Sequence, residues 1–436
     1  MLPGNFLETA PAATDPSMVI SEPPANQEST EQVTAPQAPT REELFQECEE
    51  LANATCLLPL FEQELRQRGV VGDVTNFKII LLATLSRFSE RPISVVLKGD
   101  ATAGKSFTMN TVLEYVPNEA YESMSGMSEK ALIYWDRDLR NKMVCIGEFT
   151  GLQSEQGNTW LRQLLTEGCI RYIVTGDGKG AGRASLDLEV AGPTGLIMTT
   201  TAQKLHPEDE SRMISLFVDD SPEHTSAVIR SQAMKVAGLQ TAKPNTAPWV
   251  ALHRWVAAGS KAVVVPFALT LSDKVDPSNG RMKRDFPKVL ELLKAHALLH
   301  QQTRERTAEG QIIATLADYQ AIYALVARPL SEGQTETLAP EVDQVISAVS
   351  VLSSVDEYRE GVPQNAIVDH LAKGDQQQAV AKSTVSRRVS KALAQGYLTA
   401  GQHKPGVGQQ LKIGISRGKV RQTLPAPDTL GMTSTG

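Results

Sequence analysis

The stretch that most constrains this chain is Gly99, Asp100, Ala101, Thr102, Ala103, Gly104, Lys105 and Ser106, which satisfies the pattern GxxxxGK[ST]. It follows ISVVLK at 93–98, a short β-branched run bounded by Pro92 and Gly99 that reads as a buried parallel strand. A helical pattern over 105–115 comes next. Strand, glycine loop and helix are the context in which this pattern cradles phosphate. The glycines let backbone N–H groups, through Phe107, face an anion, and the helix N-terminus adds a favourable dipole. Lys105 is expected to reach the β- and γ-phosphates of ATP, and the Ser106 hydroxyl to ligate the accompanying Mg²⁺.

The surrounding pattern predicts an α/β fold. Runs at 143–146 and 195–201 read as two more buried strands, with helical material at 128–139 and 158–167 between strands, which implies a doubly wound parallel sheet. Within it, IRYIV and SLDLEV alternate around a glycine-rich tip, predicting a β-hairpin over 170–190. The 143–146 strand delivers Glu148, a candidate to polarise the attacking water. One residue earlier, where most such enzymes place the Mg²⁺-shell aspartate, stands Gly147; Asp136 or Asp138 is a candidate substitute.

GDATAGKS, then VCIGEF, then ESRMISLFVDD at 210–220, then RDFPKVLELLKAHA at 284–297 occur in the order and rough spacing of the AAA+ core of minichromosome maintenance (MCM) helicases. The chain also resembles the ATPase modules of phage and mobile-element primase-helicases. The resemblance covers 92–326 and implies a P-loop NTPase sheet with an inserted hairpin and a helical lid. By that resemblance Thr200 or Thr201 takes the sensor-1 position, Arg212 is the arginine finger reaching a neighbouring subunit's nucleotide, and Arg284 is the sensor-2 arginine of the lid. A guanidinium presents a planar fork to transition-state phosphate charge, which suits both roles. The hairpin falls where MCM relatives grip DNA, which makes Lys179 and Arg183 candidate phosphate contacts. A finger acting between subunits implies a homo-oligomeric ring, a hexamer in the family.

The expected organisation is a disordered acidic tail (1–40), an N-terminal helical segment (41–91), the ATPase core (92–240), the helical lid (241–330), a C-terminal module (341–415) and a flexible tail (416–436). The C-terminal module resembles a winged helix, with helices at 363–371 and 381–393 and a glycine-containing wing. Its second helix offers Lys382, Ser383, Thr384, Ser386, Arg387 and Lys391 to a DNA groove. The net charge of −7 argues against a generally basic nucleic-acid binder, yet the first 40 residues hold five acidic and no basic side chains. Over 341–421, 11 basic residues face seven acidic ones, so local charge favours nucleic acid.

Cys48, Cys56, Cys145 and Cys169 form no CxxC pair, which argues against a zinc ribbon. His296 and His300 lie four apart on one helical face, a spacing compatible with metal, but no third ligand is near in sequence and a packed lid helix is the better reading. No basic leader or long apolar run is present, so a cytoplasmic protein without membrane contact is expected. The first functional expectation is an ATP-hydrolysing DNA helicase or translocase of a phage, plasmid or mobile element, with a separate primase or replication partner. The second is an ATP-gated, DNA-binding replication or transcription regulator with weak hydrolysis, which Gly147 favours. An ATP-dependent protein remodeller is third.

Overall fold

Apolar side chains on both faces of successive strands can be buried only if helices cover a parallel sheet from both sides, and this is the architecture of the computed structural model. It describes residues 38–126, 128, 138–149, 154–177, 183–202, 205–239, 243–277, 280–335, 340–374, 381–394, 396–404, 408–414 and 424–430. The expected tail over 1–37 and nearly all of the helix expected at 128–139, with Asp136, lie outside these.

Three helices lead in: α1 (Arg41–Ala52), α2 (Leu57–Gln67) and α3 (Thr75–Leu85). Thr40 and Glu43 form a reciprocal capping box that starts α1. Helix α3 is buried all round from Ile79 through Leu85, as a helix entering a core must be. Then come β1 (Val95–Lys98), α4 (Lys105–Leu113), β2 (Tyr121–Met124), β3 (Lys142–Ile146), α5 (Glu155–Glu167), β4 (Ile170–Asp177), β5 (Arg183–Val190), β6 (Thr194–Thr200), the single turn α6 (Pro207–Glu210) and β7 (Ile214–Phe217). The main sheet has the order β2-β3-β6-β1-β7, every pair parallel.

Alternation along the strands sorts the cores. Val95, Leu97, Met143, Cys145, Ile197, Ile214 and Leu216 face a large core shared with α3, α4 and the later helices. Val96, Val144, Ile146, Leu196 and Met198 face a smaller one with Trp160, Leu161 and Leu164 of α5. Burial of side chains this size stabilises by about 1.5–3 kcal/mol each. The β4–β5 hairpin pairs antiparallel from Ile170↔Val190 to Asp177↔Arg183, with Trp160 edge-on to Tyr172 at 5.0 Å. The expected hairpin is therefore present, and its tip at 178–182 lies outside the described residues.

Beyond the sheet follow α7 (Pro222–Val236), α8 (Ala247–Ala258), β8 (Val263–Val264), α9 (Ala268–Asp273), α10 (Met282–Leu299), β9 (Ile312–Ile313) and α11 (Leu316–Thr335). Helix α11 continues to Thr335, past residue 330 where the expected helical segment ends. The C-terminal module comprises α12 (Pro340–Leu352), β10 (Val362–Pro363), α13 (Gln364–Gly374), α14 (Lys382–Ala394), β11 (Leu398–Lys404) and β12 (Gly408–Ile413). Its sheet, β10-β12-β11, is antiparallel, and Val345, Val349, Ile367, Val385, Val389 and Leu411 make a separate core.

One expectation is corrected outright. Within 416–436, read as a flexible tail, residues 424–430 dock on α11: Leu424 and Leu430 are 2% and 4% exposed and belong to the large core. The Tyr319 hydroxyl donates to the Pro425 carbonyl at 2.7 Å. Two anchoring leucines offset the entropy of ordering a segment otherwise rich in Pro and Thr.

Candidate nucleotide site

The expected phosphate loop leaves the carboxyl end of β1 and enters α4. Gly104 takes φ +90° as the residue before the helix, and a Cβ there would meet nothing within 4 Å, so backbone conformation alone calls for glycine. Gly99, at φ +153°, makes the turn out of the strand. Lys105 is buried, and its ammonium donates to the Gly99 carbonyl at 2.8 Å and the Asp100 carbonyl at 2.6 Å. The lysine is thus folded over its own loop, where an incoming phosphate would exchange for those carbonyls. Ser106 and Phe107 are exposed beside it, with Phe107 edge-on to Phe77 at 6.4 Å.

Glu148 stands on the same edge. Strand β6 separates β1 from β3, which at ~4.8 Å per strand sets their backbones roughly 10 Å apart. In register, Lys98 pairs with Thr200 and Ile146 with Met198, so Glu148, two residues on, is level with Thr200. The backbone there is fixed: the Glu148 amide donates to Ser125 O and the Gly147 amide to Met124 O, both at 2.8 Å. The Glu148 side chain is exposed. Gly147 is not required sterically, since a Cβ would find only ordinary contacts, the nearest being Ser125 O at 3.4 Å.

Thr200, expected at the sensor-1 position, is less free than that position suggested. Thr200 is buried; its hydroxyl donates to Phe149 O at 2.7 Å and accepts from the Ala202 amide at 3.1 Å. Thr199 likewise donates to Gly147 O. Both hydroxyls brace the strand end that carries Glu148, and the exposed residue of the trio is Thr201.

Arg212 and Arg284 come together, away from the phosphate loop. Ile214 is in register with Val95, so Glu210 to Met213 lie beyond the amino ends of the strands while the loop lies beyond the carboxyl ends. Four residues of β1 at ~3.3 Å each separate the two levels by roughly 13 Å. Arg212 donates to Thr166 Oγ1 at 2.9 Å, Glu208 O at 2.5 Å and Glu208 Oε1 at 3.2 Å. Arg284 donates to Ser211 Oγ, and Lys288 to Ser211 O at 2.8 Å and Met213 O at 3.0 Å. Burial pushes the Lys288 ammonium below its ordinary value, against the pull of Asp285. Asp285, fully buried, also pairs with Arg281 at 2.9 Å.

Sequence reasoning missed this polar cluster. It also holds Arg162, paired with Asp209 at 2.7 Å, and Lys98, paired with Glu210 at 2.5 Å. The available signal was Lys98 itself, a lysine ending an apolar strand.

For the nucleic-acid candidates, Lys179 lies outside the described residues, and Arg183 is placed by its backbone alone, opposite Asp177. On α14, Lys382, Ser383, Ser386, Arg387 and Lys391 are exposed on the side opposite buried Val385, Val389 and Ala392, and Thr384 is half-buried. These five side chains therefore form one continuous exposed face. Asp138, the other candidate acid, is exposed and paired with Arg140 at 2.8 Å.

The lid histidines do find a third group, contrary to the reading from spacing. Asp318 Oδ1 lies 2.7 Å from His296 Nδ1, and His296, His300 and Asp318 are all buried. The arrangement is a closed hydrogen-bond network. Arg304 binds both Asp318 oxygens, the Thr315 amide and hydroxyl donate to Oδ2, and the Leu57 amide donates to His300 Nε2 at 3.1 Å while His300 Nδ1 donates to His296 O at 2.9 Å. The Arg304 guanidinium already sits on the Asp318 carboxylate, and its charge opposes a further cation there.

No helix among the described residues is long and apolar enough to cross a membrane. Neither a known protein family nor a curated protein matches the chain.

Proposed function

We propose that the chain is an AAA+-type P-loop ATPase related to the MCM helicase core, working as a hexameric ring that couples ATP hydrolysis at subunit interfaces to moving along or unwinding DNA in a phage, plasmid or mobile element. The observation that carries the reading is the carboxyl edge of the sheet. A loop with glycine at both ends, a lysine turned into it, an exposed serine after it and a carboxylate two strands away make up the set that phosphoryl transfer to water needs. Lys105 holds the terminal phosphates, Glu148 accepts a proton from the attacking water, and Thr199 and Thr200 fix the strand end that aims it. Mg²⁺ carried with ATP supplies charge neutralisation, and Ser106 is the protein group that would hold it. Arg212 and Arg284 share the far edge, beyond reach of their own loop. They serve a neighbour's nucleotide, which supports a ring.

The three helices and antiparallel sheet over 340–414 support reading that module as a winged helix, with α14 presenting Lys382, Arg387 and Lys391 to DNA. A second reading, an ATP-gated DNA-binding regulator with weak hydrolysis, is favoured by Gly147, which leaves the metal one carboxylate short.

ATPase activity with and without single-stranded DNA, measured alongside strand displacement, tests the proposal. Lys105→Ala and Arg212→Ala should each abolish turnover, and mixing the two chains should restore part of it at mixed interfaces. Full turnover by Arg212→Ala would refute the shared site. Nucleotide-dependent duplex binding without turnover would select the regulator.

A further inference from the structure

We propose that the buried Lys98–Glu210 ion pair is a positioning link that carries the state of a subunit's own phosphate loop to the segment bearing Arg212. The inference rests on the ATPase reading above.

Lys98 is the last residue of β1 and is peptide-bonded to Gly99, whose carbonyl is one of the two acceptors holding Lys105. When phosphate draws Lys105 from that carbonyl, Lys98 belongs to the first residue pair to feel the change. Its backbone is tied to β7, because its carbonyl accepts from the Val218 amide at 3.0 Å. Its side chain shares the sheet face of Val96 and Ser215, is 1% exposed, and leans back towards the amino edge to reach Glu210 Oε1 at 2.5 Å. The Ser215 hydroxyl donates to the same oxygen at 2.9 Å, and the Phe217 ring lies 5.5 Å from the ammonium. Glu210 in turn starts the turn that carries Arg212, its carbonyl accepting from the Met213 amide at 3.1 Å. One side-chain pair therefore spans the roughly 13 Å between the two edges, which no single strand residue could do alone.

A stabilising role does not account for the pair. Taking both charges out of water costs several kcal/mol, and apolar side chains of equal volume usually serve stability as well. Nor is it needed to hold Arg212, whose own bonds run to Thr166 and Glu208. What the pair adds is a fixed length between loop and finger, so that occupancy of one subunit's site sets the arginine offered to the next.

The test is hydrogen exchange of the full-length protein over 208–216, with and without a non-hydrolysable ATP analogue and Mg²⁺. Nucleotide uptake is measured by calorimetry on the same samples. Wild type should take up the analogue and change exchange over 208–216 severalfold. Lys98→Met combined with Glu210→Gln, which keeps an acceptor for Ser215, should still take up the analogue and lose the exchange response. Glu210→Gln alone, a milder change should the double variant fail to fold, should at least halve it. A full response in either variant overturns the link. Uptake by wild type without any response over 208–216 overturns it too, and leaves the ATPase reading standing. No uptake by wild type overturns both.

Discussion

Acid should loosen the join between the lid and the N-terminal helices through one imidazole. His300 is fully buried, and its Nε2 must stay unprotonated to accept from the Leu57 amide at the start of α2. Burial, with help from the His296 ring stacked at 4.3 Å, pushes its pKa from 6.5 down to about 4. The remaining charged groups of the network are Asp318 and Arg304. Burial works to raise the Asp318 carboxyl, but hydrogen bonds from His296, Arg304 and Thr315 hold it below the ordinary carboxylate range. The sign follows from which state binds the proton. The unfolded chain protonates His300 as pH falls through 6.5 and the folded chain does not until about 4, so stability declines across that window and levels off below it. At ~1.36 kcal/mol per pH unit the loss is about 3 kcal/mol. His253, which burial also holds well below its ordinary value, adds to the slope. A comparison with His300→Gln, whose amide can still accept from Leu57, therefore isolates His300. Urea unfolding at several values between pH 7 and pH 4 should show a total loss of stability smaller by about 3 kcal/mol in the variant. Equal slopes in the two proteins would refute the reasoning.

Gly147→Asp should be tolerated, because a Cβ there meets nothing closer than 3.4 Å. It should lower the Mg²⁺ concentration for half-maximal ATP turnover about tenfold, the scale of an added metal carboxylate, as read from a titration of turnover against Mg²⁺. Replacing Arg387 and Lys391 with alanine should weaken binding to duplexes of unrelated sequence alike and reduce the slope of log affinity against log salt by about 2, since each is an exposed phosphate-contact candidate on α14. Leu430→Ala should cost about 2–4 kcal/mol in thermal or urea unfolding, because the side chain is 4% exposed in the large core rather than part of a loose end.

What could be read in advance was whatever repeats locally. ISVVLK, KMVCI and TGLIMTT announce buried strands by their β-branched runs, and the glycine loop announces itself by a fixed pattern, so the carboxyl edge with Lys105 and Glu148 was legible. Groups brought together by tertiary packing were not. Asp318 lies 22 residues from His296, and Glu210 lies 112 from Lys98. No periodicity links such pairs. Thr200 was legible as a polar strand end, but the direction of its hydroxyl depends on the carbonyls of a different strand. Leu424 and Leu430 stand isolated among Pro and Thr, and only the surface of α11 and its neighbours makes them core residues.

That returning segment changes what kind of appendage the C-terminal module is. The chain leaves the lid at the end of α11, builds α12 through β12, and is back on the lid by Leu424. Both ends of the module's stretch of chain are thus tied to the same helical layer, so cutting the chain within 415–423 would release one of its two attachments and leave the other.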